Sequence, residues 1–396
     1  MRLAVLALFV ALVTGCSDQL KAGRCETDSD CAQGFLCSQD LVANVYHRCV
    51  QPDAGAAGAG GSDGGGAEMT MRECSADRDC PADRPACGAD GMCGACNAGS
   101  NVCSTSHPST PVCDANGACV ECAASADCSS AAKPACDSQA NTCGPCLSDA
   151  DCAGRSGPGV CMAHQDGRCA SDAETIYVQQ SAACVATADP MAGTAANPFC
   201  GLDKASVALS PTRRLIVLRG TVQGTAWTLQ GASTDPQISI VGQQSATIAG
   251  GASPGLHIVG ANVFCRAVRI TRSVDTGVSS SGGAILRIED SSVDNNGGGG
   301  LLLQQTAFDI RNVTVSENGP GTLNLATWGG IAVVDPSTGA KGLTRVSVVQ
   351  NKGPGISCSA GITGDGVLAS QNSSADINPT CGITPCGAPS ATCGAM

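Results

Sequence analysis

Ile288-Glu289-Asp290-Ser291-Ser292-Val293-Asp294-Asn295-Asn296-Gly297 and, 22 residues later, Ile310-Arg311-Asn312-Val313-Thr314-Val315-Ser316-Glu317-Asn318-Gly319 share one pattern. Apolar residues alternate with polar ones and run into an Asn-Gly corner. Alternation is the period of a strand with one buried face, and its return at a fixed interval marks a repeat architecture. Setting Gly251, Ser273, Asn296, Asn318, Asn351 and Asn372 as equivalent markers extends the pattern from Ala246 to Ile377, with spacings of 22, 23, 22, 33 and 21. Three residues before each marker stand Ile248, Ile270, Val293, Val315, Val348 and Ala369, and five before it Ala246, Val268, Ser291, Val313, Val346 and Val367. Five after it stand Leu256, Val278, Leu301, Leu323, Ile356 and Ile377, and eight before it Cys265, Ile288, Ile310, Leu343 and Gly364. No single turn can bury these columns alone. Successive turns must stack as parallel sheets, so the fold class is all-β, a parallel β-helix preceded by small disulfide-rich modules.

The 33-residue interval breaks the period. Aligning Gly330-Ile331-Ala332-Val333 with Gly300-Leu301-Leu302-Leu303 puts most of the excess at Thr322 to Gly329, including Trp328, one of only two tryptophans. Insertions in repeat proteins map to loops, often on the binding face. Trp328 is the candidate ligand-binding residue, as an exposed platform for the apolar face of a sugar. The other reading is that it pins the loop onto the helix flank. The column count also places Cys265 and Cys358 in the core, Cys358 in line with Leu303 and Leu325. They lie three or more turns apart, too far to bond each other.

The 28 cysteines fall mostly before residue 170. Five four-cysteine units can be read: Cys25, Cys31, Cys37, Cys49; Cys74, Cys80, Cys87, Cys93; Cys96, Cys103, Cys113, Cys119; Cys122, Cys128, Cys136, Cys143; and Cys146, Cys152, Cys161, Cys169. Units this small need disulfides or metal to fold. Four cysteines allow three pairings, so the connectivity stays open. Cys93/Cys96, Cys119/Cys122 and Cys143/Cys146 have a zinc-like spacing, but it arises wherever one unit abuts the next, and bridging is the expectation rather than a metal. Acidic pairs precede the second cysteine at Asp28/Asp30, Asp77/Asp79 and Asp149/Asp151. Calcium would need six or more oxygens, and turn or cap duty is the simpler role.

At the N-terminus, Arg2 precedes an apolar run from Leu3 to Val13 and then Thr14-Gly15-Cys16. That is the shape of an export signal. Leu12-Val13-Thr14-Gly15-Cys16 resembles the lipobox of bacterial lipoproteins, which implies lipidation of Cys16, a lipid bilayer as partner and, with Ser17 following, a place at the outer membrane or cell surface. The boundaries follow: 1–15 signal, 16–50 tether and first module, 51–72 Gly/Ala-rich linker, 73–170 four modules, 171–380 β-helix, and 381–396 a Cys-containing tail. The cysteine-rich pattern is similar to the Dickkopf-type N-terminal module, and the third unit, with Asn97-Ala98-Gly99-Ser100-Asn101-Val102, departs from it. That similarity implies an interaction or spacer role.

Gly193-Thr194-Ala195-Ala196-Asn197-Pro198-Phe199-Cys200, the strand Leu215-Ile216-Val217-Leu218-Arg219-Gly220 and the corners Asn296-Gly297, Asn318-Gly319 and Asn351-Lys352-Gly353 resemble right-handed, pectin-lyase-like β-helix proteins over roughly residues 174–378. The family resemblance implies an N-terminal cap, ladder corners in left-handed geometry, and polysaccharide lyases or hydrolases among its members. The Asn-Thr-Asp, Gly-His-Gly and Trp-x-Asp-His strings of those enzymes are absent from the sequence. The densest acids, Glu289, Asp290 and Asp294, lie beside Arg266, Arg287 and Arg311, and Arg266, Glu289 and Arg311 stack in one column, as in an ion ladder. His257 is the single histidine of the solenoid and has no nucleophile or carboxylate in its pattern. No catalytic, metal-binding or cofactor-binding residue is assigned.

Charge excludes one class of partner. Cys16–Ala170 carries 9 basic and 20 acidic residues and Ser171–Met396 carries 12 and 14, for a total of −12 with Arg2. Such a chain lacks the basic stripe of a nucleic-acid binder. The expectation is a surface lipoprotein whose β-helix is non-catalytic and serves a binding or structural role, with an extracellular polysaccharide or surface protein as the partner; a divergent polysaccharide lyase or glycoside hydrolase is the alternative, and a purely structural spacer is a third reading.

Overall fold

The computed structural model describes residues 72–223, 227–251, 254–323 and 326–384, with three short strands nearer the N-terminus. The chain divides into two compact units, Met1–Thr70 and Met71–Met396. In the first, Arg24–Cys25 and Leu36–Cys37 each pair antiparallel with His47–Val50, and Cys37 aligns with Cys49. Of the linker expected at 51–72, residues 51–71 lie outside the described residues.

In the second unit the repeat folds as a parallel β-solenoid with three faces. The first face stacks Thr228–Gln230, Leu256–Val259, Val278–Ser281, Leu301–Gln304, Ile331–Val334 and Ile356–Cys358. The second face includes Thr175–Gln179, Asn262–Arg266, Ile285–Glu289, Ala307–Arg311, Lys341–Thr344 and Thr363–Asp365. The third includes Arg269–Thr271, Ser292–Asp294, Thr314–Ser316, Ser347–Val349 and Leu368–Ser370. Leu215–Gln223 and Ile238–Ala249 each bend through the second and third faces, with a register shift between Arg219 and Thr221.

The observed register reproduces the sequence columns. Cys265, Ile288, Ile310, Leu343 and Gly364 pair in that order, as do Ile248, Ile270, Val293, Val315, Val348 and Ala369. Except for the exposed Gly364, both columns face a continuous buried core, where each fully buried aliphatic side chain contributes about 1.5–3 kcal/mol. One member moves: Leu301 pairs with Ile331, not with a residue at Leu323. Cys358 likewise follows Leu303 and Val333, because the extra residues take Leu323 into a separate hairpin; Leu325, the residue expected in this column, lies outside the described residues.

The marker column is a hydrogen-bonded asparagine ladder. Asn318 Oδ1 accepts from Asn296 N (3.1 Å) and Nδ2 (2.9 Å), and Asn351 Oδ1 accepts from Asn318 N (3.1 Å) and Nδ2 (3.0 Å). Asn372 does the same for Asn351, and Asp376 closes the series by accepting from Asn372 N and Nδ2. Each amide also donates to a strand carbonyl inside the coil, as Asn318 Nδ2 does to Val293 O. The left-handed residues at this corner are the ones just before the ladder, Arg272, Asn295, Glu317, Gln350 and Gln371, with φ of 56–60°. The Asn-rich corner expectation is thus corrected in its cause. Asparagine stands there because buried corner N–H groups need acceptors, and the residue before it takes the backbone strain.

Both ends are closed. Phe199, Leu202 and Ala205 cover the first coil, beside the Cys184–Cys200 bridge. At the other end Cys381, assigned from sequence to the tail, is buried and bonded to Cys358, so the cap extends past residue 380. Cys265 remains a free buried thiol, which burial pushes up to about 12.

The four modules share one connectivity, first to third and second to fourth cysteine: Cys74–Cys87 and Cys80–Cys93, Cys96–Cys113 and Cys103–Cys119, Cys122–Cys136 and Cys128–Cys143, Cys146–Cys161 and Cys152–Cys169. The third and fourth cysteines sit opposite each other on a short antiparallel ladder. Backbone bonds tie module to module, as Cys119 N to Ala82 O (2.6 Å) and Cys169 N to Ala131 O (2.9 Å). The last module does not end at a linker. Its Val160, Met162 and Ala170 pack with Tyr177, Leu215, Val217 and Val241 on the outside of the second face. His164 stacks on Phe264 with ring centroids 3.7 Å apart, and its Nε2 lies 2.8 Å from Ser239 Oγ.

Candidate binding site at the inserted hairpin

The extra residues of the 33-residue turn fold into an antiparallel hairpin, Gly321–Leu323 with Ala326–Trp328, in which Gly321 is opposite Trp328. Its tip, residues 324–325, lies outside the described residues. Trp328 is 4 % exposed, which corrects the expectation of an exposed platform. The physical reason lies in two glycines. A Cβ on Gly299 would stand 2.4 Å from the indole, and one on Gly321 2.6 Å from it. Only residues without side chains let the ring lie flat there. Trp328 therefore fastens the hairpin to the coil.

What the hairpin builds is a hollow of ≈ 340 Å³ against the first face, with Trp328 in its wall. Ala332, Val334, Pro354 and Ala375 supply apolar lining, and Thr327, Ser357, Ser359 and Asn378 supply hydroxyls and an amide. Ala332 and Ser357 occupy the outward column that begins Thr228, His257, Ser279, Leu302. A volume of this size is within the range of small-ligand pockets. Pro354, Ala375 and Asn378 escaped sequence reasoning because they come from the next turns, and only the coil brings them beside the hairpin.

The charged cluster has the predicted register but other partners. Arg266, Glu289 and Arg311 do stack. Arg266 Nη2, however, pairs with Asp149 Oδ1 of the last module (2.6 Å), and Arg311 pairs with Asp309 on its own strand (2.8 Å). Among the described residues Glu289 has no ion pair within 4 Å. The expected ladder is corrected to two side-on pairs, because the last module reaches Arg266 from outside the sheet. Asp294 is bound by Arg269 through Nε (2.8 Å) and Nη2 (2.6 Å). Burial pushes its carboxyl up, but the bonds from Arg269, Asn295 and Thr271 outweigh this and hold it below the usual carboxylate value. Asp290 accepts from Asn312 Nδ2 (2.9 Å). His257 stands on the outward column between Thr228 and Ser279.

The acidic pairs of the modules act as turn caps. Asp79 accepts from Ser75 N and Ala76 N, Asp127 from Ala123 N and Ala124 N, and Asp151 from Leu147 N and Ser148 N. Asp77 and Asp149 hold the N–H of the third cysteine, Cys87 and Cys161. Three cysteine sulfurs approach within 4.8 Å in each module, and every one of them belongs to a bridge. Cys16, Asp28 and Asp30 lie outside the described residues. No helix of the described residues is long and apolar enough to cross a membrane. No family model, curated protein or solved structure matches this chain.

Proposed function

We propose that the chain is a surface-displayed, non-catalytic binding protein. It is lipidated at Cys16, spaced from the bilayer by its cysteine modules, and takes an extracellular polysaccharide or a surface protein in the hollow beside the inserted hairpin. One observation carries the reading: the longest break in the solenoid period builds an outward hollow with an apolar wall and a hydroxyl-amide lining. That is the chemistry of a sugar ring, apolar on one face and polar at its edge. The lipobox at Leu12–Cys16 supports the anchor, and the interlocked modules support a spacer.

The test is retention of the full chain on immobilised polysaccharides, scored together with release of reducing or unsaturated sugar. Ser357→Trp fills the hollow from an outward, half-buried position. It should lower retention at least tenfold, about 1.4 kcal/mol, with the melting temperature unchanged. Equal retention by that variant would remove the hollow from the mechanism, and sugar release by wild type would move the reading to the lyase or hydrolase class. Cys16→Ser should shift the chain out of the membrane fraction, and wild type that takes up no fatty-acid label would overturn the anchor.

A further inference from the structure

The hollow beside Trp328 has no ionised group in its wall. Its lining contains no lysine, arginine, aspartate or glutamate, although the chain carries 22 basic and 34 acidic residues. The six strands of the first face, which lead to it, contain none either. The second face, by contrast, bears Arg266, Arg287, Glu289, Asp309 and Arg311, and the third Arg269 and Asp294. Two acids flank the hollow in sequence, Asp335 after Val334 and Asp376 after Ala375, and no cation in the lining offsets them. An anionic ligand is therefore disfavoured.

A neutral ligand must be held by hydrogen bonds and apolar contact, and two lining groups are left as donors by the bonds they already make. Asn378 Oδ1 accepts from Thr380 N (2.9 Å), so Nδ2 remains with both its N–H groups to give. Ser359 Oγ accepts from Asp335 N (2.8 Å), so its O–H remains to give. Neither donor has an acceptor among the described residues. Both reach solvent, Ser359 being exposed and Asn378 half-buried. The apolar side chains of Val334, Pro354 and Ala375, also open to solvent, share the same wall. A plain hexose suits this wall poorly, because each hydroxyl that meets apolar surface loses water without gaining a partner.

We infer that the hollow takes an N-acetylated amino sugar, as a single unit or a chain end. The acetamido carbonyl accepts from Asn378 Nδ2 and Ser359 Oγ, and the acetyl methyl lies on the apolar wall. The group is neutral, as the uncharged lining requires, and it joins a strong acceptor to a methyl in the way the wall joins donors to apolar surface. The volume of ≈ 340 Å³ is near the lower end of ligand pockets, about 300–1,000 Å³, which suits one sugar unit rather than a stretch of polymer. This assignment rests on the reading of the hollow as the ligand site and adds the group that it recognises.

Saturation-transfer NMR on the full chain tests it, with N-acetyl-D-glucosamine, N-acetyl-D-galactosamine, L-rhamnose, D-glucose and D-glucuronate as probes. One or both acetamido sugars should bind, with the acetyl methyl taking the largest saturation. Rhamnose, which has a methyl but no acetamido carbonyl, should bind at least tenfold more weakly, as should glucose and glucuronate. Asn378→Asp keeps an oxygen for Thr380 N and replaces the Nδ2 donor by an acceptor. It should weaken the acetamido sugar at least tenfold with the melting temperature unchanged. Should that variant fail to fold, Ala375→Glu, at an exposed position of the same wall, should weaken it by as much. Unchanged affinity in the variant that folds, rhamnose, glucose or glucuronate equal to the acetamido sugars, or no acetamido sugar bound at about 10 mM overturns the assignment. Polysaccharide retention that Ser357→Trp abolishes, with no preference among the five probes, keeps the hollow as the binding site and overturns this assignment alone. Retention unchanged in Ser357→Trp removes both.

Discussion

Between Cys74 and Cys169 sixteen cysteines form eight bridges, whereas the solenoid from Thr175 to Cys381 has two bridges, one near each end. Both regions are poor in aromatic side chains, and they compensate differently. In the modules the largest buried groups are the cystines themselves, with Cys103, Cys122 and Cys152 fully enclosed, so the covalent bond and the core are one object. In the solenoid each turn lends its apolar column to the next, and bridges only seal the ends. One region is stabilised by local closure of short loops, the other by neighbours many residues away.

The largest expected effect follows from that contrast. Reduction under native conditions should unfold the three modules before the last, since each loses two bridges worth about 2–4 kcal/mol apiece and has little else buried, whereas the last keeps Val160, Met162 and Ala170 packed on the solenoid. The solenoid should keep its strand signal, losing protection only near Cys184–Cys200 and Cys358–Cys381. Hydrogen exchange with and without reductant, mapped by peptide, measures this directly. Uniform loss over residues 215–370 would show that the solenoid depends on the modules.

Next in size is the hairpin. Trp328→Ala removes an indole seated on Gly299 and Gly321, and large aromatic truncations cost about 3–5 kcal/mol. Exchange should rise first in the hairpin and in Ile331–Val334, while the turns before Gly299 stay protected, because a solenoid loses stability turn by turn. A variant as stable as wild type would mean that the indole contributes little to holding the hairpin.

The solenoid was legible in sequence for a physical reason. An inward position admits few residue types, and six copies of the rule at one interval expose the columns from Ile248 to Ala369. The 33-residue turn could be located but not resolved, since Leu323 and Ile331 both satisfy the apolar rule and only the stacking of Leu301 on Ile331 decides between them. The bridges were not legible, because three pairings of four cysteines are equal on paper and the hairpin that sets Cys87 opposite Cys93 has no side-chain signature. Least legible was the docking of the last module. Val160, Met162 and Tyr177 obey no common period, and the partner of Arg266 proved to be Asp149, 117 residues away.

That docking joins the two kinds of region, and His164 makes it sensitive to acid. Its ring lies on Phe264 and its Nε2 on the buried hydroxyl of Ser239. Burial, then Arg266 and Arg287, bring its pKa down from 6.5 to about 4, with Asp166 opposing weakly. The docked state therefore holds the neutral ring, and an undocked or unfolded state takes the proton first. Stability is complete above about pH 6.5, falls as pH drops towards 4, and stops falling once the docked ring is also protonated. The loss is bounded by about 3 kcal/mol. His164→Gln keeps a polar partner for Ser239 without a titrating group, so denaturant midpoints measured from pH 7 to pH 4.5 should slope less for the variant than for wild type. The range stops short of the acid region where Asp294 and Glu174, both held below their usual values, release their own contributions. Parallel profiles for the two proteins would mean that the last module rests on its apolar contacts and on Asp149–Arg266 alone.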